Sequence, residues 1–297
     1  MSLTKIPLYL NPASGSAARV RAQLQSDPRL EIHALSADKM TEAVRKQAEQ
    51  GASRILVTGG DGTLALAANQ LAGTKTALGV IPGGTLNHFA ARHGIPSAPE
   101  AALELALTGT PQAVDAAYVN ERLFINTSSV GAYVHFVQNR EQLEKHLSYT
   151  LASLLAALRR WLRWRNIHLS LDGHDLKTPL VFIGVHEREL SVPSLGQHRP
   201  DGKPGLHLIT LHTNNRLHTL RLAFNAIMRG IDPLDLDSPM TTRVVQTVEL
   251  NHRRRKRRAY VALDGELFLL RTPLRYCYAA GVLRVIKAPD RKTGEKT

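Results

Sequence analysis

The chain has 297 residues, 43% hydrophobic and 21% charged, enough for one large or two medium domains with a core; this excludes wholesale disorder, collagen-like repeats and coiled coils. Its single cysteine, Cys277, cannot form an internal disulfide, and the apolar residues around it predict a buried thiol in a reducing compartment. Thirty-eight Lys and Arg against 25 Asp and Glu give a formal charge of +13, which calls for an anionic partner without naming it.

Met1 to Ile6 carries no apolar signal core, because Lys5 and Pro7 interrupt it. Ile6 to Leu10 is a predicted strand, followed by the turn Asn11-Pro12-Ala13-Ser14-Gly15 and a helix through Leu24. Glu31 to Leu35, Arg54 to Thr58 and Ala77 to Ile81 are further predicted strands. They alternate with helices over Met40 to Gln50 and Leu64 to Leu71 and with one after Pro82-Gly83-Gly84-Thr85. This βαβα order predicts a doubly wound parallel sheet.

From about residue 123 the pattern changes to short alternating strands. Ile167 to Gly173 and Ala259 to Gly265 each read as a strand ending in an Asp-Gly hairpin turn. One amphipathic helix, Leu147 to Trp164, and a helical stretch, Ala223 to Arg229, interrupt them. The expected fold class is therefore α/β plus β: a doubly wound parallel-sheet domain over 1–124 and a mostly antiparallel β domain over 125–297. The last strand, near 276–288, is the one segment that could return to the first domain. The longest apolar helical stretch, Leu151 to Leu158, falls short of the roughly 20 residues that span a bilayer.

Three of the strand-to-helix turns carry small residues: Asn11 to Gly15, Gly59-Gly60-Asp61-Gly62-Thr63, and Gly83-Gly84-Thr85-Leu86-Asn87. Glycine lets the backbone approach a phosphate, and the following helix directs free N–H groups at the anion. In an open parallel sheet ligands bind at the carboxyl ends of the strands, so three such turns predict a nucleotide phosphate site. Asp61 among these glycines would repel an anion unless it holds a metal ion or takes a proton, which points to Mg²⁺-dependent phosphoryl transfer; the structural alternative is a helix cap. No Gly-x-x-x-x-Gly-Lys-Ser/Thr run and no dinucleotide fingerprint is present.

The loop Gly59 to Thr63 resembles the signature shared by diacylglycerol kinases, sphingosine kinases, NAD kinases and phosphofructokinases. Taken with Asn11-Pro12-x-Ser14-Gly15, Gly84-Thr85-Leu86-Asn87-His88-Phe89-Ala90 and Asp264-Gly265-Glu266, the chain resembles the diacylglycerol kinase catalytic-domain family in its small bacterial form, over about residues 6–286. The resemblance implies an ATP- and Mg²⁺-dependent lipid kinase with an α/β nucleotide domain, a β-sandwich-like acceptor domain and an active site in the cleft between them. It places Asn11, Ser14, Gly59, Gly60, Gly62, Thr63, Gly84, Thr85 and Asn87 at the nucleotide, and Asp61 at the metal with Asp115 as a second candidate ligand. Asp264 would be the general base, with Glu266 beside it; read without the family, Asp264-Gly265 is a hairpin turn, as Asp172-Gly173 is. Where many members have Asn-Asp, this chain has Asn87-His88, one carboxylate fewer.

The charge is uneven. Residues 1–125 carry 11 Lys and Arg against 10 Asp and Glu, whereas residues 126–297 carry 27 against 15. Six form the run Arg253 to Arg258, expected at a hairpin tip, and four lie within Arg159 to Arg165 beside Trp161 and Trp164. Arginines next to tryptophans suit an anionic membrane surface, and aromatics at 5% of the chain supply no stacking platforms for nucleic acid. The expectation is a cytoplasmic, peripherally membrane-associated enzyme acting on a lipid such as diacylglycerol or a sphingoid-like alcohol, with a homodimer compatible with the sequence. The rivals are a soluble-substrate kinase of the NAD kinase type and a non-catalytic nucleotide- or nucleic-acid-binding module.

Overall fold

Apolar runs flanked by turn residues become the strands of a parallel sheet: β1 (Ile6–Leu10), β2 (Leu30–Ala34), β3 (Arg54–Gly59) and β4 (Ala77–Pro82). The computed structural model describes residues 5–85, 87–131, 167–189, 199, 201–211, 240–252 and 257–288. These divide into one unit of residues 1–116 with 280–297 and a second of residues 117–279. The expected helix Leu147 to Trp164, the stretches Arg159 to Arg165 and Ala223 to Arg229, and Arg253 to Lys256 lie outside the described residues. No helix of the described residues is long and apolar enough to cross a membrane.

In the first unit the strand order is β2-β1-β3-β4-β16, all parallel, where β16 is the long final strand Leu274–Ile286 and its Val285 and Ile286 pair with Leu78 and Gly79. The helices α1 (Ala17–Leu24), α2 (Ala37–Glu49), α3 (Asp61–Leu71), α4 (His88–Arg92) and α5 (Pro99–Thr108) alternate with the strands. Each buries a stripe at helical spacing, as with Ala17, Val20 and Leu24 in α1 and Leu64, Ala67, Ala68 and Leu71 in α3. They cover a fully buried sheet centre of Ile55, Leu56, Val57, Leu78, Val80 and Ile81. Helix α5 packs close because β4 offers Gly79, where a Cβ would stand 3.0 Å from that of Ala106. The guanidinium of Arg54 donates to the carbonyls of Ala106 and Leu107 at the end of that helix.

The second unit is antiparallel. Strands β8 (Ile167–Leu171), β9 (His174–Thr178), β13 (Thr247–His252) and the first part of β16 form one sheet, in the order β16-β13-β8-β9. The other runs β12-β11-β10-β7-β14-β15, built from β7 (Thr127–Gly131), β10 (Leu180–Val185), β11 (Leu206–Leu211), β12 (Met240–Val245), β14 (Arg258–Leu263) and β15 (Glu266–Arg271). Strands β5 (Pro111–Val119) and β6 (Arg122–Phe124) form a hairpin, and β5 carries the chain from the first unit into the second. Alternate residues of the two sheets, among them Leu169, Val248, Leu250 and Tyr276 on one and Val130, Val181, Ile183 and Val261 on the other, make one core. The expected class, α/β plus β, is the class found.

Two expectations are corrected here. The run Arg253 to Arg258 does not tip a hairpin: β13 pairs with β16 and β8, β14 with β15 and β7, so the run links two different sheets. Cys277 is exposed, because Leu274 and Tyr276 take the inward positions of β16 and a strand alternates its faces.

Three turns of the second unit share one fastening. Asn120, Asp172 and Asp264 open the turns after β5, β8 and β14, each with a left-handed φ of about 50° (53°, 49° and 49°), which Asn and Asp tolerate best after glycine. Each donates its N–H to the carbonyl of a residue on a neighbouring segment (Arg275, Glu249 and Thr127) and accepts that residue's N–H on Oδ1, at 2.9, 2.9 and 3.0 Å. The side chain thus ties a hairpin to a third strand.

His207 on β11 is buried; its Nδ1 accepts the N–H of Arg188 at 2.8 Å and its Nε2 bonds Thr242 Oγ1. Burial, with the neighbouring Arg188 charge in support, outweighs Glu187 and holds its pKa below the ordinary 6.5, so the neutral ring belongs to the fold. A depressed histidine contributes stability that is complete above the unfolded value and is lost as pH falls below it. The unfolding free energy should therefore drop as pH falls below about 6.5, and a His207→Gln variant should show a shallower drop over that window in urea titrations.

Candidate phosphate-binding and acceptor sites

Because β1, β3 and β4 are parallel and adjacent, their three following turns emerge side by side on one sheet edge. In the first turn Asn11 Oδ1 accepts the N–H of Ala13 at 3.0 Å, and its Nδ2 reaches Thr63 Oγ1 at 3.4 Å. Ser14 lies half-buried just ahead of α1, its N–H on the Asn11 carbonyl and its carbonyl receiving the Ala17 N–H. Ser16, which no motif marks, donates its hydroxyl to the Gly83 carbonyl at 2.6 Å and joins the first turn to the third.

The second and third turns touch through glycines. A Cβ at Gly84 would lie 2.5 Å from the Gly60 Cα, and one at Gly83 would lie 3.0 Å from the Gly59 nitrogen and 2.9 Å from Thr58 Oγ1. Gly59 itself faces the Thr63 side chain, which a Cβ would meet at 2.5 Å. Gly60 is the extended residue ahead of α3, so the helix starts at Asp61, three residues before the apolar periodicity does, and Gly62 and Thr63 belong to its first turn. Asn87 sits at φ 51° and folds its amide onto Gly84, accepting the Gly84 N–H at 2.8 Å and donating to its carbonyl at 2.9 Å; Thr85 is exposed between them.

Asp61 does cap a helix, though a different one from its own: Oδ1 accepts the Phe89 N–H at 2.8 Å and Oδ2 the His88 N–H at 3.0 Å, at the start of α4. Position 88 therefore meets Asp61 through its backbone. Asp115 makes another contact, its Oδ1 accepting the N–H of Gly281, a residue of β16 with φ 59°. No group of three His, Cys, Asp or Glu arranged to hold a metal occurs among the described residues.

In the second unit, Asp264 opens the β14–β15 turn. Beyond its fastening to Thr127, Oδ1 accepts the Asn126 N–H at 2.7 Å and Oδ2 the Ile125 N–H at 2.8 Å. Three successive amides fix the carboxylate, while Glu266 starts β15 at the exposed side of the turn. The same segment is gripped from its carbonyl side: buried Arg188 donates from Nη2 to the Asn126 carbonyl at 2.6 Å. Glu187 beside it accepts the Lys203 N–H at 3.0 Å and pairs with Arg199 at 3.2 Å; the backbone bond first, then Arg199, pulls its pKa down.

The glycine contact sets a test. Gly84→Ala forces two backbones apart and should lower stability by about 1–3 kcal/mol, whereas Gly15→Ala, whose Cβ would meet nothing within 4 Å, should stay within about 0.5 kcal/mol of the parent in urea unfolding.

A family model described as the diacylglycerol kinase catalytic domain matches residues 5–119. A diacylglycerol kinase of Mycobacterium tuberculosis is 30% identical over 258 residues, 80% of this chain and 82% of that one. A "probable lipid kinase YegS-like" protein of Cronobacter sakazakii is 41% identical over 93 residues, 30% and 31% of the two chains. Among solved structures, a diacylglycerol kinase from Bacillus anthracis covers 97% of this chain and 98% of its own at a TM-score of 0.65 and 18% identity, a likeness of fold. The adjoining glycine turns, the Asp61 cap and the long match to the mycobacterial protein have one reading: this kinase belongs to the diacylglycerol kinase family.

Proposed function

We propose that the chain is an ATP-dependent lipid kinase that moves the γ-phosphoryl group to a lipid hydroxyl such as that of diacylglycerol. The observation that carries this reading is the direct approach of Gly60 to Gly84 at the amino end of α3, which leaves no side chain between the backbone and an incoming phosphate. The residues fit ATP. Gly59, Gly60 and Gly62 with Thr63, and Gly84 with Thr85, would hold its phosphates, and Asn11, Ser14 and Asn87 the wall. They also fit Mg²⁺, which takes one or two protein carboxylates and draws its remaining ligands from phosphate and water. Asp61 would supply the carboxylate, with Asp115 the second candidate, and the ion would neutralise phosphate charge. The names of the mycobacterial and Cronobacter relatives support a lipid acceptor.

In this reading Asp264 accepts the proton of the lipid hydroxyl as that oxygen forms its bond to the γ-phosphorus and the bond to the ADP oxygen breaks. Its three amide donors hold the carboxylate in place for that transfer, and Glu266 stands next to it. Asn120 makes the same two-bond fastening with an amide side chain, so Asp264→Asn should keep the tie to Thr127, losing the Ile125 bond at Oδ2, while removing the base. With labelled ATP and Mg²⁺ offered with diacylglycerol, NAD or duplex DNA, label should appear in the lipid. Asp61→Asn and Asp264→Asn should each reduce lipid labelling at least about a hundredfold with unchanged circular dichroism. Wild-type turnover in Asp61→Asn, or label in NAD alone, would sink the assignment.

The basic excess supports peripheral attachment to anionic membrane through Arg253 to Arg258, of which Arg257 and Arg258 are exposed, and through Arg159 to Arg165. Neutralising Arg253 to Arg258 should lower activity on anionic vesicles more than on detergent-dispersed lipid; equal losses on both would count against it.

A further inference from the structure

The face of the six-stranded sheet opposite the shared core grades from polar to apolar in one direction. Ser128 bonds the buried Tyr276 hydroxyl and Val130 lies in the core, so Thr127 and Ser129 point to the opposite face of β7. The registers then define rows on that face. The first row holds Asp264, Thr127 and Gly184; the Arg188 side chain lies over Gly184, where a Cβ would meet it at 2.7 Å, and His207 follows on β11. The second row is Leu267, Ala262, Ser129, Phe182 and Ile209. Tyr260 and Leu269, paired across β14 and β15, come next and are 48% and 47% exposed, and the pair Arg258 and Arg271 ends the series.

Ser129 is the one polar side chain in its row from β15 to β11, and it is as buried as Ala262 beside it. It is 2% exposed, stands between Phe182 and Ala262, and its hydroxyl has no hydrogen-bond partner among the described residues. A buried hydroxyl left unpaired carries a desolvation penalty of about 1–3 kcal/mol, and such groups mark places where a ligand or ordered water completes the structure. Ser129 is a diagonal neighbour of Asp264 across β7 and β14, a relation of about 7–8 Å between backbones, and the Asp264 carboxylate is drawn toward the amides of residues 125–127, so a bridging lipid must reach across with a hydrogen bond of about 2.8 Å at each end. In a diacylglycerol the free hydroxyl oxygen and the nearer ester carbonyl oxygen are five bonds apart, a span of about 5 Å at ordinary bond lengths.

We propose that Ser129 donates its hydroxyl to an ester carbonyl of the acceptor, with the free hydroxyl at Asp264 and the acyl chain over Phe182, Leu267, Tyr260 and Leu269, so that this chain selects ester-linked glycerolipids over lipid alcohols without an ester. The inference rests on the lipid-kinase reading and deepens it by naming the substrate class. The ordering is that of the lipid itself: polar head at Asp264 and Arg188, one hydrogen-bond donor at the depth of the ester, then apolar side chains, then arginines suited to an anionic surface.

The test compares wild-type protein on 1,2-diacylglycerol and on the matching 1,2-dialkylglycerol, which has ether links and no carbonyl, both in mixed detergent micelles with ATP and Mg²⁺. The ratio of kcat/KM for ester over ether should be about tenfold or more, the scale of one hydrogen bond, and should fall close to one in Ser129→Ala. Equal use of both lipids by the wild type, or a Ser129→Ala ratio that matches the wild type, overturns the Ser129 assignment and leaves the lipid-kinase reading standing. Transfer to neither lipid, with phosphate going to NAD instead, overturns that reading and the inference with it. The wild-type ratio alone decides the question if Ser129→Ala does not fold.

Discussion

Two glycines in van der Waals contact govern the first unit. Gly60 and Gly84 meet with no room for a Cβ at position 84, and the other links of this sheet edge follow from that approach. It lets Ser16 reach the Gly83 carbonyl, lets Asn87 close back on Gly84, and brings the start of α4 to the Asp61 carboxylate. The cost of two close backbones is met by hydrogen bonds between neighbouring turns and by the packed strands below them. The contact of position 88 to Asp61 is made by the backbone amide, so this bond does not depend on the His88 side chain.

The parts of this arrangement that repeat locally were legible in the sequence. Strands β1, β3 and β4 stand out as apolar runs, the helices as buried stripes, and the glycine turns as clusters placed where a strand gives way to a helix. The turns Asp172-Gly173 and Asp264-Gly265 were equally plain. What could not be read is which distant group each side chain would find. Asp61 looks like a cap for the helix it begins and instead caps α4, 27 residues on. Ser16 has no motif to announce it, and Asp264 meets amides nearly 140 residues away in the chain.

Sheet membership is non-local in the same way. Two strands separated by six basic residues read as a hairpin, yet β13 and β14 belong to different sheets, because strand pairing is decided by which apolar face each can bury. Cys277 shows the opposite case. Leu274 and Tyr276 precede it at alternate, inward positions, and the parity of β16 already puts the thiol on the outer face; an apolar neighbourhood is a weaker guide than the period of a strand.

The fastening shared by Asn120, Asp172 and Asp264 separates shape from reactivity. One turn makes it with a carboxamide and two with carboxylates, so the shared fastening itself requires only one oxygen; at 264 the second oxygen takes the Ile125 N–H as well, the one bond an amide there would lose. A chain of this architecture can therefore exchange its acid for an amide by one substitution and keep its form. If Asp264 is the base proposed above, folded copies that bind the same ligands without turning them over are one substitution away, and shape alone will not tell them from the enzyme.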